Sequence, residues 1–146
     1  MKLTRAPAVA TIPVTDIKRA RGFYSEKLGL ELCDGNLERG ELLYETGSGS
    51  HLLVYQNPTP PKSDVTQFAF LVDDLMSTVE MLRDRGIQFE EVKLPHVKNV
   101  KGIATYDGEK SVWFRDPDGN IIGITQSEIS SHIFAGEWIC VGRTAD

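Results

Sequence analysis

His51 is the side chain in this sequence best suited to moving a proton near neutral pH. It stands directly after the Gly47-Ser-Gly-Ser50 stretch and opens the apolar run His51-Leu-Leu-Val-Tyr-Gln56. Three readings of it stand side by side: a general base, one ligand of a metal site together with Gln67 and a carboxylate, or a rim residue beside a Gly/Ser loop. Trp113, Tyr44 and Tyr55 carry aromatic faces within strand-like runs. Thr11, Gln67, Ser111 and Thr125 carry hydroxyl or amide groups. Such a set orients a small molecule more readily than it attacks one. Cys33 and Cys140 stand alone, in neither a metal-ligand nor a redox spacing, and are expected to be free thiols.

The elements that must position these residues come in two similar rounds. Val9-Ala-Thr-Ile-Pro-Val-Thr-Asp-Ile17 aligns with Gln67-Phe-Ala-Phe-Leu-Val-Asp-Asp-Leu75, placing Val14 over Val72 and Asp16 over Asp74. Each stretch runs into a helical pattern of apolar residues: Ile17, Ala20, Phe23, Tyr24 and Leu28, then Leu75, Val79 and Leu82. Asp16 and Asp74 stand where a helix N-cap belongs, and Gly29 and Gly86 where a left-handed C-terminal residue belongs. Short strands follow in both rounds. Glu41–Thr46 and His51–Gln56 flank the Gly/Ser loop, while Ser111–Arg115 and Asn120–Thr125 flank Asp116-Pro-Asp-Gly119.

The spacing therefore predicts one α+β domain over residues 1–146. It consists of two βαβββ units, residues 8–56 and 66–126, forming a curved mixed sheet around a cleft, plus an extension at 127–146. Residues 56–65 form a Pro-rich connection. A three-residue loop with Gly119 left-handed pairs Asp116 with Asn120, which sets Trp113 opposite Gly123 and Ser111 opposite Thr125. In the first unit a four-residue Gly/Ser loop pairs Thr46 with His51, Tyr44 with Leu53 and Leu42 with Tyr55.

Net charge is −5, with acidic and basic residues interspersed, which argues against nucleic acid as a partner. No apolar run approaches the roughly 18 residues of a membrane helix, and the first residues lack the apolar region of a signal peptide, so a cytoplasmic, non-membrane protein is expected.

Val14-Thr-Asp16, Phe23-Tyr24 and Leu28-Gly-Leu30, combined with Asp116-Pro-Asp-Gly-Asn120, resemble the two halves of the vicinal oxygen chelate superfamily, the glyoxalase/bleomycin-resistance/dioxygenase-like proteins. The resemblance covers about residues 8–126. It implies a divalent ion held by His, Gln or Glu from four strands in the members that do metal chemistry. Here those positions fall on Val9, Leu53, Gln67 and Gly123. Three of the four offer no donor atom, so no metal and no other cofactor is expected.

Placing those positions toward the cleft puts Val9, Thr11, Tyr44, His51, Leu53, Tyr55, Gln67, Ala69, Ser111, Trp113, Gly123 and Thr125 on its walls. Trp113 over Gly123 reads either as an aromatic wall replacing a chelating one or as a plug of ordinary core. The stretch 90–111 reads as an irregular loop over the cleft, with His96, Tyr106 and Asp107 as secondary candidates. Ile129, Ile133, Phe134, Trp138, Ile139 and Val141 make the extension too apolar for a free tail, and the resemblance implies a homodimer. Two functions remain open. One is metal-free binding of a small hydrophobic or aromatic molecule; the other is an enzyme of lyase, isomerase or dioxygenase type, with His51 as base or with a non-standard metal.

Overall fold

A computed structural model describes residues 1–91, 95, 97–106 and 108–126. His96, Asp107 and the extension at 127–146 lie outside the described residues. The first half runs β1 (Ala10–Val14), α1 (Ile17–Arg21, continued by a π-helical stretch Gly22–Lys27), β2 (Glu31–Asn36), β3 (Glu41–Glu45) and β4 (His51–Gln56). The second begins with β5 (Thr66–Leu71) and α2 (Leu75–Asp84). It continues with β6 (Phe89–Glu90), β7 (Lys98–Val100), β8 (Ile103–Tyr106), β9 (Glu109–Arg115) and β10 (Ile121–Gln126).

Both helices start as their sequences demand. The Asp16 carboxylate accepts from the backbone N–H of Lys18 and Arg19, and that of Asp74 accepts from Ser77. A second device repeats in both halves. Gln56, at the end of β4, accepts through Oε1 from the Ile17 N–H at 3.2 Å; Gln126, at the end of β10, does the same for Leu75 at 2.8 Å. Each closing strand thus satisfies an otherwise orphaned donor at the start of its own half's helix. Gly29 and Gly86 have φ of +72° and +88°, the left-handed region in which glycine carries no Cβ penalty.

The strands form two mixed ladders, β1-β4-β3-β2 and β5-β10-β9-β8-β7, with β6 paired to β9. In each, the strand before the helix runs parallel to the closing strand and the other pairings are antiparallel. The stretch 90–111, expected to be a loop, contains β7 and β8 and the end of β6. Lys101 and Gly102 both take positive φ there and turn the chain between β7 and β8. One continuous core unites the halves, with Ile12, Val14, Phe23 and Tyr24 of the first meeting Leu75, Val79, Phe114 and Ile122 of the second.

The Asp116–Asn120 turn docks onto the first half. Buried Asp116 accepts from the Tyr24 hydroxyl at 2.7 Å and the Asn120 side-chain amide at 2.8 Å, while its other oxygen takes the backbone N–H groups of Asp118 and Asn120. Asn120 also donates to the Pro13 carbonyl, and Asp118 accepts from Thr15 and Arg19. The Tyr24 phenol is pushed far up from its ordinary pKa, first by burial and then by the neighbouring Asp116 charge.

Candidate small-molecule site

A cavity of about 390 Å³ opens where the two sheets' edge strands come together. Ala8, Val9 and Ala10 form its β1 side, and Thr46, Ser50, His51 and Leu52 its β4 side. Phe68, Ala69 and Phe70 of β5 close it, with the two Phe rings edge to face at 5.3 Å. Among the described residues, no lysine, arginine or carboxylate lines it. A second cavity of the same volume, around Lys27, Phe89 and Pro117, also has Arg115 and Glu90 on its walls, and these two are ion-paired.

The expected register of the second hairpin is observed. Asp116 N–H bonds to the Asn120 carbonyl, Gly119 has φ +85°, Trp113 faces Gly123 and Ser111 faces Thr125. A Cβ built on Gly123 would lie 3.4 Å from Trp113 Nε1 and 3.4 Å from Ala69 Cβ, so the glycine's missing side chain is the space the indole leans into. Ser111 bonds to Thr125 at 2.9 Å and to the Tyr106 hydroxyl at 3.2 Å. Only 1% exposed, Ser111 is tied into a hydroxyl chain on the face it shares with Trp113 and Gly123 rather than open to a ligand.

The first hairpin differs from expectation by one residue. Glu45 faces His51, Tyr44 faces Leu52, Leu43 faces Leu53 and Glu41 faces Tyr55. The cause is the loop. Ser48 and Gly49 both take positive φ (56° and 74°), and Thr46 N–H bonds to the Ser50 carbonyl, so five residues rather than four make the turn. A slip of one residue exchanges the faces of a strand. Tyr44 consequently leaves the cleft for the core, fully buried, with its hydroxyl 2.8 Å from Ser25 Oγ and its pKa raised chiefly by that burial. Leu43 takes the cleft-side position assigned to Tyr44.

Of the residues expected to face a ligand, His51 reaches the cavity, as do Val9 and Ala69. Thr11, Leu53 and Tyr55 share the face of His51 but sit farther along β1 and β4, on open sheet. Half-buried Gln67 falls at the bulge where β5 shifts register against β10. Gly123 and half-buried Trp113 pack together outside the cavity lining, and Thr125 joins the Ser111 hydroxyl chain. Phe68, Phe70, Thr46 and Ser50 were not read as lining. Alternation assigned the two Phe rings to the core, yet they are only half buried, because β5 is an edge strand and its core face ends at the seam.

The model of the Glyoxalase/Bleomycin resistance protein/Dioxygenase superfamily matches residues 6–124. The chain belongs to this superfamily. Among solved glyoxalase-type structures it is similar to TnmS3, an antibiotic binding protein from Streptomyces sp. CB03234, with 25% identity and a TM-score of 0.58 over 84% of this chain and 98% of that one. A glyoxalase/bleomycin resistance protein from the same organism has 26% identity and a TM-score of 0.58 over 83% of this chain and all of that one. Lactoylglutathione lyase from Agrobacterium tumefaciens, at 19% identity and TM-score 0.62 over 85% and 95%, shares the fold. No curated protein matches the chain.

At the four positions that the sequence resemblance implies, the donor set does not fit a chelated ion. Val9, Leu53 and Gly123 carry no donor, and the Trp113 indole edge lies where a longer side chain at Gly123 would project. Among the described residues no three His, Cys, Asp or Glu side chains converge on a point that could hold a metal. Nor is any described helix long and apolar enough to cross a membrane.

Proposed function

We propose that this superfamily member binds a small hydrophobic or aromatic molecule in the seam cavity without using a metal, as a cytoplasmic homodimer. The observation that carries the reading is the wall itself. Val9, at a position where the sequence resemblance implies a chelating residue in metal-using members, lines a cavity together with Phe68 and Phe70, and no lysine, arginine or carboxylate is among the described lining residues. Apolar and aromatic walls with a few polar groups are the usual composition of a small-molecule site, and about 390 Å³ is in the usual size range. Similarity to an antibiotic binding protein supports binding over turnover.

His51 on the cavity wall favours a second reading, in which the imidazole acts as general base of a metal-free lyase or isomerase. Titration of chelator-treated protein with 2-naphthol, followed by tryptophan fluorescence and calorimetry, separates the possibilities. Saturable micromolar binding, unchanged by added Zn²⁺, Ni²⁺, Mn²⁺ or Fe²⁺ and weakened about tenfold by Phe68→Ala, is the expected result; that factor corresponds to about 1.4 kcal/mol of lost contact. Binding that requires one of these ions would overturn the proposal. Product formation abolished by His51→Ala would establish the second reading instead.

A further inference from the structure

The seam cavity does not end at Phe70. A smaller cavity of about 180 Å³ is lined by Thr46, Gly47, Ser48 and Ser50 on one side and by Ala69, Phe70 and Leu71 on the other. It shares Thr46, Ser50, Ala69 and Phe70 with the larger one. The two are neighbouring compartments across one edge of β5, the first walled by aromatic rings and the second rimmed by three hydroxyls.

The rim is held in place. Thr46 N–H bonds to the Ser50 carbonyl at 2.8 Å and Ser50 N–H to the Gly47 carbonyl at 3.1 Å, while Ser48 and Gly49 turn the chain with positive φ. The side chains of Thr46, Ser48, Ser50 and His51 have no hydrogen-bond partner among the described residues. Cβ atoms built on Gly47 and Gly49 would meet nothing within 4 Å, so the loop backbone is open to a close approach. Among the described residues, neither compartment is lined by a lysine or arginine. No described lysine or arginine there offsets the desolvation of an anion, whereas hydroxyls and an imidazole satisfy a neutral oxygen.

Building on the binding reading above, we infer that the Thr46–His51 rim is a recognition subsite for a neutral oxygen group, such as a ketone, hydroxyl or amide, carried by an aromatic ligand whose rings lie against Phe68 and Phe70. The ligand class is therefore neutral oxygenated aromatics. Carboxylates, phosphates and anionic thiol conjugates should bind more weakly, since no lysine or arginine lines either compartment among the described residues.

Three probes with one ring system test this on the full chain: 2-methylnaphthalene, 2-acetylnaphthalene and 2-naphthoate at pH 8, with dissociation constants measured for wild type, the Thr46→Val/Ser50→Ala double variant and Ser48→Ala. The acetyl compound should bind at least fivefold tighter than the methyl compound and tighter than naphthoate. The double variant should bring the acetyl-to-methyl ratio of dissociation constants close to one, with its fold checked separately by far-ultraviolet circular dichroism and its urea midpoint. Ser48→Ala, on an exposed residue, should reduce the advantage in part. Tightest binding of naphthoate, or an acetyl advantage that survives both variants, overturns the subsite and leaves the binding reading standing. Failure of all three probes to bind wild type overturns the binding reading together with the subsite.

Discussion

Gly123→Ala should stabilise this protein, and Gly123→Val should destabilise it. Gly123 has ordinary strand geometry, so a side chain there meets no backbone strain. The new methyl would stand 3.4 Å from Ala69 Cβ and Trp113 Nε1 and 3.5 Å from Thr66 Cγ2, which is van der Waals contact rather than overlap. Replacing glycine where the conformation suits alanine typically stabilises by about 0.4–1 kcal/mol, largely by restricting the unfolded chain. With a urea m-value of about 2 kcal/mol/M, the midpoint rises by roughly 0.2–0.5 M. Valine adds two γ carbons into space the indole and the Ala69 methyl already fill, and overpacking of that kind costs about 1–3 kcal/mol. Urea unfolding followed by far-ultraviolet circular dichroism measures both. The double variant Trp113→Ala/Gly123→Val completes a cycle in which loss of the indole should remove most of the valine penalty. If valine is tolerated as well as alanine, the indole is not fixed against the glycine and the account of Gly123 is wrong. An alanine penalty above about 1 kcal/mol would mean that the glycine makes room for a contact tighter than this geometry, and would refute it from the other side.

The paired glutamine caps make a symmetrical prediction: Gln56→Ala and Gln126→Ala should each cost about 0.5–1.5 kcal/mol, and the two losses should add, since each serves a different helix. Urea midpoints of the single and double variants check it, and an effect confined to one half would show that the repeat is not energetic. Tyr24 should make the fold alkali-sensitive. Its folded pKa is raised, so its contribution is complete below the unfolded phenol value of about 10, and above that pH stability falls by up to about 1.4 kcal/mol per unit. Stability measured from pH 8 to 11 should decline more steeply in wild type than in Tyr24→Phe, with a residual slope from Tyr44, whose pKa is raised by burial; parallel curves would contradict this.

What could be read in advance was what local chemistry determines. The helix caps at Asp16 and Asp74, the left-handed glycines after each helix, and the Trp113–Gly123 register all follow from residues within one turn of the feature they control. The Gly47–Ser50 turn was misjudged because Ser48, a residue with no intrinsic reason to take positive φ, joins Gly49 there, and one additional turn residue sent Tyr44 to the core. Strand β7 escaped notice because Lys98, Asn99 and Val100 are all exposed and alternate no apolar face. Asp116 and Asn120 were legible as turn formers, but their role in pinning the halves depends on Tyr24 and Pro13, some hundred residues away in the chain. The cavity was displaced from its expected place for the same reason: it lies at a seam whose shape comes from how two units pack, and no single strand pattern encodes that.

The pinning has a mechanical consequence. The Asp116–Asn120 turn grips the far end of β1, at Pro13 and Thr15, while the cavity lies at the near end, at Ala8, Val9 and Ala10. Five residues of extended chain, about 17 Å, separate the grip from the opening. The two halves are thus bound at one end by buried hydrogen bonds and along their length by the continuous core, against which Ala10, Phe68 and Phe70 of the cavity wall also pack. The cavity wall and the turn's carboxylate network are therefore separate parts of β1's surroundings, and a substitution at Val9 or Phe68 leaves every hydrogen bond of Asp116 in place.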